Sequence, residues 1–216
     1  NIFNTNHTVK SFDYPFNFWI IDQVFDENFS QEILRLWPSQ SDERWNRGYD
    51  LIDGKKNRLE GNMLAMSGKQ NMPEFFRQFL TSLNSASSID FYEKITSVLD
   101  LKIDDNWRWA GLRETLPGGY QLIHSDARQH PESGLRKELT FLCYFRDSYK
   151  KESDEGCLEV WSDDMSQMVH AIEPIHNRMV IFQNTDKSYH GVPETKANRK
   201  AITFSMVKEG PVAERS

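Results

Sequence analysis

The chain has 216 residues, a formal net charge of −6 and only two cysteines. This length fits one domain with a substantial core. A negative net charge excludes the positive field that drives binding to nucleic acid or anionic membranes. No apolar run approaches the roughly 20 residues of a membrane helix, and two cysteines make no disulfide framework. We therefore expect a soluble cytoplasmic protein with no membrane span.

The first 100 residues predict one or two strands and several helices. In chain order we predict a strand over Phe16–Phe25, a helix over Ser30–Trp37 that begins at Asp26–Asn28, a polar loop over Ser39–Gly61, a strand over Asn62–Met66, and helices over Glu74–Leu83 and Asp90–Leu99. The helices carry apolar residues at helical spacing, and Ser88 is the expected cap of the last one.

After Leu101 the pattern changes to short alternating apolar runs separated by Gly, Pro, Asp and Asn. The predicted strands are Trp107–Thr115, Gln121–His124, Leu139–Phe145, Cys157–Trp161, His170–Ile172, Arg178–Phe182, Ser188–Val192 and Lys200–Val207. This spacing predicts a two-sheet jelly roll or a small barrel and excludes a parallel α/β sheet. We expect one mainly β domain, in which residues 1–100 support a β core at 101–208.

One candidate metal-binding pair is His124-Ser125-Asp126, which follows the turn at Pro117–Gly119. Residues two apart on a strand point to the same side, so both side chains can reach one metal. Six histidines and 32 acidic residues predict about one His-x-Asp/Glu by chance, and the chain has two. The second is His130-Pro131-Glu132, whose charged surroundings predict a solvated loop residue.

A second candidate ligand, His190, comes 64 residues after Asp126 and follows a polar turn at Asn184–Lys187. Two histidines and one carboxylate on neighbouring strand ends form a facial triad, which leaves three cis positions open on an octahedral metal. Non-haem Fe(II) requires that arrangement to bind a chelating co-substrate together with O₂. A structural zinc site would instead be closed by four ligands.

Arg199 stands nine residues after His190 at the start of a predicted strand. By strand alternation, Thr203 and Ser205 share its face. A guanidinium directed into a barrel is costly to bury unpaired, and a planar carboxylate is its best bidentate partner. The distal carboxylate of 2-oxoglutarate meets that requirement. Lys200, on the opposite face, is the weaker candidate.

These residues together resemble the prolyl 4-hydroxylase-like branch of the Fe(II)/2-oxoglutarate-dependent oxygenases. The resemblance covers about Trp107–Val207, and it rests on several ordered segments: His124-x-Asp126, Leu139–Phe145, Glu155–Val160, Arg178–Phe182, His190–Val192 and Arg199–Thr203. It departs from the family where Glu155-Gly156 replaces a common Gly-Gly. The residues before His124 also do not match the substrate-binding tyrosines of the collagen-type enzymes.

The resemblance implies a double-stranded β-helix (jelly roll) with flanking helices. It implies that His124, Asp126 and His190 bind iron, that Arg199 binds the C5 carboxylate of 2-oxoglutarate, and that Tyr144 and Thr203 assist it. The cofactors implied are Fe(II), 2-oxoglutarate, O₂ and ascorbate. The expected reaction hydroxylates a C–H bond and releases succinate and CO₂.

Substrate contacts are expected at the barrel mouth, from Arg113, Tyr120, Gln121 and Arg128, with the loop Ala127–Lys137 as a candidate lid. The cations of that loop suggest a polar or anionic small molecule or peptide, although charged runs are more often solvated connections. Two other classes remain open: a non-catalytic metal- or sugar-binding jelly-roll module, and a cupin-like metalloenzyme that does not use 2-oxoglutarate. Arg199, at its spacing from His190, disfavours the first of these.

Overall fold

The computed structural model describes residues 2–46, 51–52, 55–56 and 59–211. The helices are α1 (Glu27–Arg35), α2 (Glu74–Leu83), α3 (Ala86–Thr96) and α4 (Lys151–Asp154). The strands are β1 (Thr8–Phe12), β2 (Phe18–Asp22), β3 (Leu51–Ile52), β4 (Lys55–Lys56), β5 (Glu60–Ser67), β6 (Lys102–Ile103), β7 (Gly111–His124), β8 (Arg136–Phe145), β9 (Leu158–Trp161), β10 (Met168–Ile172), β11 (Arg178–Gln183), β12 (His190–Val192) and β13 (Arg199–Lys208). Residues 47–50, 53–54 and 57–58 of the loop predicted over residues 39–61 lie outside the described residues.

The three N-terminal helices begin where side chains or proline favour a helix start. The Asp26 carboxylate accepts hydrogen bonds from the backbone N–H groups of Asn28 and Phe29 and so caps α1. The predicted helix over Glu74–Leu83 is confirmed as α2. The prediction for α3 was wrong at its start, because Ser85 caps the helix and Ser88 is buried in its first turn.

Eleven of the strands form one antiparallel sheet in the order β1-β2-β11-β8-β13-β7-β12-β9-β10, with β5 added on β7 and β6 on β13. The sheet curls until its two ends approach each other. Phe12 and Phe18, at the β1–β2 end, lie with ring centroids 4.9 and 5.1 Å from that of His170 on β10. The predicted mainly β jelly roll is confirmed.

Two hydrophobic cores lie on opposite faces of this curled sheet. Alternate residues of β8 divide between them: Phe141, Cys143 and Phe145 pack towards the helices, and Tyr144 packs inside the curl. The inner core joins residues of β2, β11 and β13 with residues of β9, β10 and β12. The period of two that predicted this division therefore holds in the folded chain.

Strand β7 differs from the prediction, which placed two strands on either side of a turn. Trp107 lies in a turn before the strand, with φ at 52°. The strand then continues without a break from Gly111 to His124. The predicted turn is instead an irregularity inside it, because the pairing with β5 shifts register between Gly61 and Met63. Strand β7 thus pairs with β13 at its start and with β12 at its end.

The remaining predicted strands after residue 135 overlap β8 to β13, and their ends differ from the observed ones by at most three residues. Strand β1 and the short helix α4 carry no strong pattern and were not predicted. Among the described residues, no helix combines the length and the apolar composition that crossing a membrane requires.

Candidate metal and co-substrate site

The three predicted ligands converge where β7 ends and β12 begins. His124 and His190 are paired residues of these two strands, and Asp126 follows His124 by two residues. One ligand atom from each lies within 4.8 Å of the other two. The Asp126 Oδ1 atom is 3.5 Å from His124 Nε2 and 3.8 Å from His190 Nε2. A single cation fits between these three atoms.

Both imidazole rings are oriented by backbone carbonyls. The Nδ1 of His124 lies 2.8 Å from the carbonyl oxygen of Leu122, and that of His190 lies 2.9 Å from the carbonyl oxygen of Ser188. A carbonyl only accepts, so each Nδ1 carries the proton and donates it. The Nε2 lone pairs are then free for a metal, the arrangement typical of metal-binding histidines.

The electrostatics of the site favour a neutral His190 beside an ionised Asp126. Burial lowers the pKa of His190 to about 4, despite the opposing effect of Asp126. Burial also works against ionisation of Asp126, but the Lys137 ammonium and the contact with His124 hold the pKa of that carboxyl well below its usual range. Burial opposes protonation of His124 too, but its contacts with Asp126 and with the Leu122 carbonyl outweigh burial and raise its pKa. A divalent cation requires neutral imidazoles and an ionised carboxylate, so its binding displaces any proton that His124 Nε2 holds.

The second oxygen of Asp126 is bound by two donors that were not predicted. Lys137 Nζ lies 2.5 Å and Thr140 Oγ1 lies 2.9 Å from Asp126 Oδ2. Both residues belong to β8, but the sequence placed Lys137 only in a charged loop. Lys137 and Thr140 are three residues apart, a spacing that puts side chains on opposite faces of a regular strand. A register shift between Lys137 and Leu139 in the pairing of β8 with β13 brings them to the same side, and no local pattern predicted it.

Arg199 lies inside the curl of the sheet beside Tyr144. It is 6% exposed, its Nη2 donates to the Tyr144 hydroxyl at 2.8 Å, and its guanidinium carbon lies 4.8 Å from the centre of the tyrosine ring. The Arg199 Nε is buried and has no hydrogen-bond partner among the residues that the structure describes. A buried charged donor without an acceptor is costly, so the site is built for an anion.

Two half-buried residues lie on the strands that carry Arg199 and Tyr144. Thr203 and Leu142 are paired residues of β13 and β8. Both are half-buried, although most of their neighbours along the strands are buried. By alternation they share the inner face with Arg199, Tyr144 and Thr140. The Arg199 end and the metal end therefore face one common interior.

The four residues predicted to contact substrate lie in different places. Tyr120 and Gln121 line a cavity of about 290 Å³ beside the end of β7, together with Leu122, Ile123, Glu159, Val192, Pro193 and Glu194. Arg113 donates from Nη1 to the Ser67 hydroxyl and lies apart from that cavity. Arg128 is exposed on the loop after Asp126. The structure brings only two of the four together.

The prediction of a solvated His130 was wrong. The residue is 2% exposed, its Nδ1 accepts hydrogen bonds from the backbone N–H groups of Glu132 and Ser133, and its Nε2 lies 3.2 Å from a carboxylate oxygen of Asp104. Its ring also packs edge-on against Trp109. His130 therefore anchors the loop after Asp126 to the turn before β7. The local sequence around His130 did not predict this burial, because Asp104 and Trp109 lie more than twenty positions earlier in the chain.

Comparison with known proteins agrees with this geometry. Residues 110–206 match the family described as the 2OG-Fe(II) oxygenase superfamily, which uses Fe(II), 2-oxoglutarate and O₂. This range contains the three triad residues and Arg199. No curated protein matches the sequence.

Three solved structures resemble this chain at low sequence identity. A prolyl hydroxylase of Trichoplax adhaerens, solved with a hypoxia inducible factor peptide fragment, is 18% identical with a TM-score of 0.67, over 88% of this chain and 83% of that one. An oxidoreductase of the 2OG-Fe(II) oxygenase family from Burkholderia pseudomallei is 12% identical with a TM-score of 0.58, over 87% and 82%. A prolyl-4-hydroxylase of Pseudomonas putida is 17% identical with a TM-score of 0.52, over 71% and 76%. At these identities the likeness establishes the fold.

Proposed function

We propose that this chain is a dioxygenase of the 2OG-Fe(II) oxygenase superfamily, whose model matches residues 110–206, and that it hydroxylates a C–H bond of a small molecule or a peptide. His124, Asp126 and His190 hold Fe(II) in this proposal. Arg199, Tyr144 and Thr203 bind 2-oxoglutarate. The observation that carries it is the buried Arg199 Nε, which no described residue pairs, on the same interior as a triad that would leave three positions open on a metal.

Bound Fe(II) and 2-oxoglutarate would supply the oxidising chemistry of the proposed reaction. Fe(II) with 2-oxoglutarate and O₂ supplies the oxidising power, so that one oxygen atom enters the substrate C–H bond and the other enters succinate as CO₂ leaves. The protein contributes ligand geometry, orientation and exclusion of water.

The residues of this chain have separable tasks in the proposed reaction. The carbonyls of Leu122 and Ser188 fix the tautomers of the two histidines. The Arg199 guanidinium pairs with the distal carboxylate of 2-oxoglutarate, and its bond to the Tyr144 hydroxyl orients it for that contact. The inner core around Val180 and Phe182 keeps this end of the pocket dry, which strengthens the ion pair.

The proposed substrate contacts are ranked by where the structure places the four residues named from the sequence. Tyr120 and Gln121 are the proposed contacts, because they line a cavity next to the strand that carries His124. Arg113 and Arg128 remain weaker proposals, since neither lines that cavity. The two relatives with prolyl hydroxylase in their names make a peptide or a free amino acid the first substrates to screen. The free cysteines Cys143 and Cys157 support a reducing cytoplasmic location, which we also propose.

An anaerobic binding experiment tests the function without a known substrate. Fe(II) and 2-oxoglutarate are added to the protein, and the weak visible charge-transfer band of the chelate is recorded. The band is expected in the native protein and lost or weakened in Asp126→Ala and Arg199→Ala. Lys200→Ala is the matched control, because Lys200 follows Arg199 but faces Trp37 on the outer side. If the native protein binds Fe(II) but shows no charge-transfer band with 2-oxoglutarate, the proposal that it uses 2-oxoglutarate is overturned.

A further inference from the structure

A buried lysine stands next to the proposed metal ligands without being one of them. The Lys137 side chain is 5% exposed, and lysines are almost never fully buried unless they are paired. Within the described ranges its ammonium contacts one carboxylate, that of Asp126, at 2.5 Å from Oδ2. Burial removes the Lys137 ammonium from water and so costs free energy that a surface lysine keeps. The buried ion pair with Asp126 therefore needs an explanation.

The same carboxylate oxygen receives a second donor. Thr140 Oγ1 lies 2.9 Å from Asp126 Oδ2. The Asn184 side-chain amide donates to that hydroxyl at 3.0 Å, which leaves the hydroxyl proton for Asp126. One charged and one neutral donor therefore occupy Oδ2, while Oδ1 faces the two histidine Nε2 atoms. The two oxygens of this carboxylate have different surroundings.

Lys137 is also held on its other side. Its Nζ lies 5.0 Å from the centre of the Trp109 ring, a cation–π distance. The edge of Trp109 packs on His130 at 5.2 Å between ring centroids, and His130 lies against the Asp104 carboxylate. The ammonium is thus fixed between an aromatic face and Asp126, so it cannot move far to follow the carboxylate.

We propose that Lys137 is a positioning residue that reserves Asp126 Oδ2, so that only Oδ1 is available to the metal. A carboxylate that turned both oxygens to the metal would occupy one more coordination position. The proposed reaction needs two positions for 2-oxoglutarate and one for O₂, so that extra contact would compete with the co-substrate. This inference rests on the proposed function and adds a device that keeps the third position open.

Two binding measurements on the full chain test the proposal. Water-proton relaxation of the Mn(II)-loaded protein reports how many water positions remain on the metal. The charge-transfer band of the anaerobic Fe(II)-loaded protein, titrated with 2-oxoglutarate at saturating metal, gives the Kd of the co-substrate. In Lys137→Met we expect fewer water positions and a Kd at least about tenfold higher, which corresponds to ~1.4 kcal/mol.

Three further variants make the result specific. Lys137→Arg keeps the charge and is expected to retain more co-substrate affinity than Lys137→Met. Thr140→Val removes only the neutral donor and should change both readouts in the same direction by less, so it carries the test if Lys137→Met does not fold. Lys208→Met is the matched control, because Lys208 is a partly exposed cation of β13 whose Nζ lies 3.7 Å from Asp100. It should leave both readouts unchanged.

The outcomes separate this inference from the proposed function. No band in the native protein would overturn the function itself. The inference would be overturned if the native protein gives the band but Lys137→Met has the same number of water positions as the native protein. Weaker 2-oxoglutarate binding in that variant would not rescue the inference, because loss of the positive charge alone would explain the weaker binding. An unchanged Kd at saturating metal would also overturn it, whatever the metal affinity. If Lys137 merely ordered the ligand, metal affinity would fall by roughly 10- to 100-fold with the water count preserved.

Discussion

His190 lies directly opposite His124 in the pairing of β12 with β7, and the two ring centroids are 4.5 Å apart. Between this pair and the next one, Val192 with Gln121, the register shifts by one residue. The irregularity therefore sets which residues of β7 stand opposite His190. A slip of one residue would turn His124 to the other face of the sheet, so the backbone at this point decides whether the site exists.

Gly191 is the residue that allows the close approach at this irregularity. A Cβ there would meet the Gln121 carbonyl at 3.0 Å and the Ile123 backbone nitrogen at 3.2 Å, and backbone atoms give way less readily than side-chain ends. We expect Gly191→Ala to separate β12 from β7 and to weaken Mn(II) binding by roughly tenfold or more. Gly68→Ala is the control, because its φ of +86° strains the backbone far from the site. Equal metal affinity in both variants would contradict the role of Gly191.

Arg199 should be required for co-substrate binding but not for stability. Its Nε is buried without a partner in the described part of the chain, and such a group costs free energy in the folded state. We expect Arg199→Met to weaken 2-oxoglutarate binding roughly 100-fold or more while the Tm without ligand does not fall. Thermal unfolding with and without 2-oxoglutarate measures both effects. A large loss of Tm in the absence of ligand would mean that Arg199 serves the core instead.

Thr203 tests the position of the proposed pocket. It faces Leu142 across β13 and β8, and both are half-buried. We expect Thr203→Phe to fill this space and raise the Kd of 2-oxoglutarate about 100-fold or more, because the ligand and the ring cannot occupy it together. Thr203→Val keeps the shape of the side chain and loses the hydroxyl that would hydrogen-bond to 2-oxoglutarate. We therefore expect the Kd of 2-oxoglutarate to rise by no more than about tenfold in this variant. Band titration measures both. Unchanged binding in Thr203→Phe would place the co-substrate elsewhere.

His130 should behave as an anchor of the loop after Asp126 and not as part of a mobile lid. Its ring is buried against Asp104 and Trp109, so His130→Ala leaves a cavity and removes the acceptor of the Glu132 and Ser133 backbone N–H groups. We expect a loss of about 2 kcal/mol or more in the free energy of unfolding. Limited proteolysis should then cut the loop faster. Gln129→Ala is the matched control, since Gln129 is exposed. Equal cleavage of both variants would favour a loop that opens on its own.

His176 predicts a pH dependence of stability away from the metal site. Its Nδ1 accepts from the Arg146 backbone N–H, and its Nε2 lies 2.9 Å from the Ser30 hydroxyl. Burial lowers the pKa of His176, although Glu27 and Asp147 oppose this. The unfolded chain therefore binds this proton more readily than the folded one. The stabilisation is complete above the unfolded pKa of about 6.5 and is lost as the pH falls through and below it.

Urea unfolding of the native protein and His176→Gln at pH 7.5 and pH 5 measures this effect. The stability difference between them should shrink or reverse at pH 5, because glutamine does not titrate. Other groups, such as His190, titrate in both proteins and cancel in the comparison. A difference that stays constant with pH would show that the His176 ring is not held neutral in the fold.

The alternation in β8 and β13 illustrates what a local pattern predicts well. Phe141, Cys143, Ile202 and Phe204 were separated from Tyr144 and Thr203 by their period of two, and the structure divides them in the same way. The start of α3 was missed because Ser85, Ser87 and Ser88 are all acceptable caps. The choice among them depends on Ser88 packing against the end of α2, where its hydroxyl donates to the Ser82 carbonyl.

The sequence by itself determined the class of fold and the candidate ligands, because alternation and a His-x-Asp pair are local features. It also singled out Arg199 by its spacing from His190. Only the tertiary structure placed Lys137 and Thr140 on Asp126 and His130 on Asp104, and it alone revealed that β7 continues through Pro117–Gly119. Those contacts join residues 11 to 26 positions apart. Their partners are chosen by how the strands pair and by which polar groups are left to be satisfied once the core has formed.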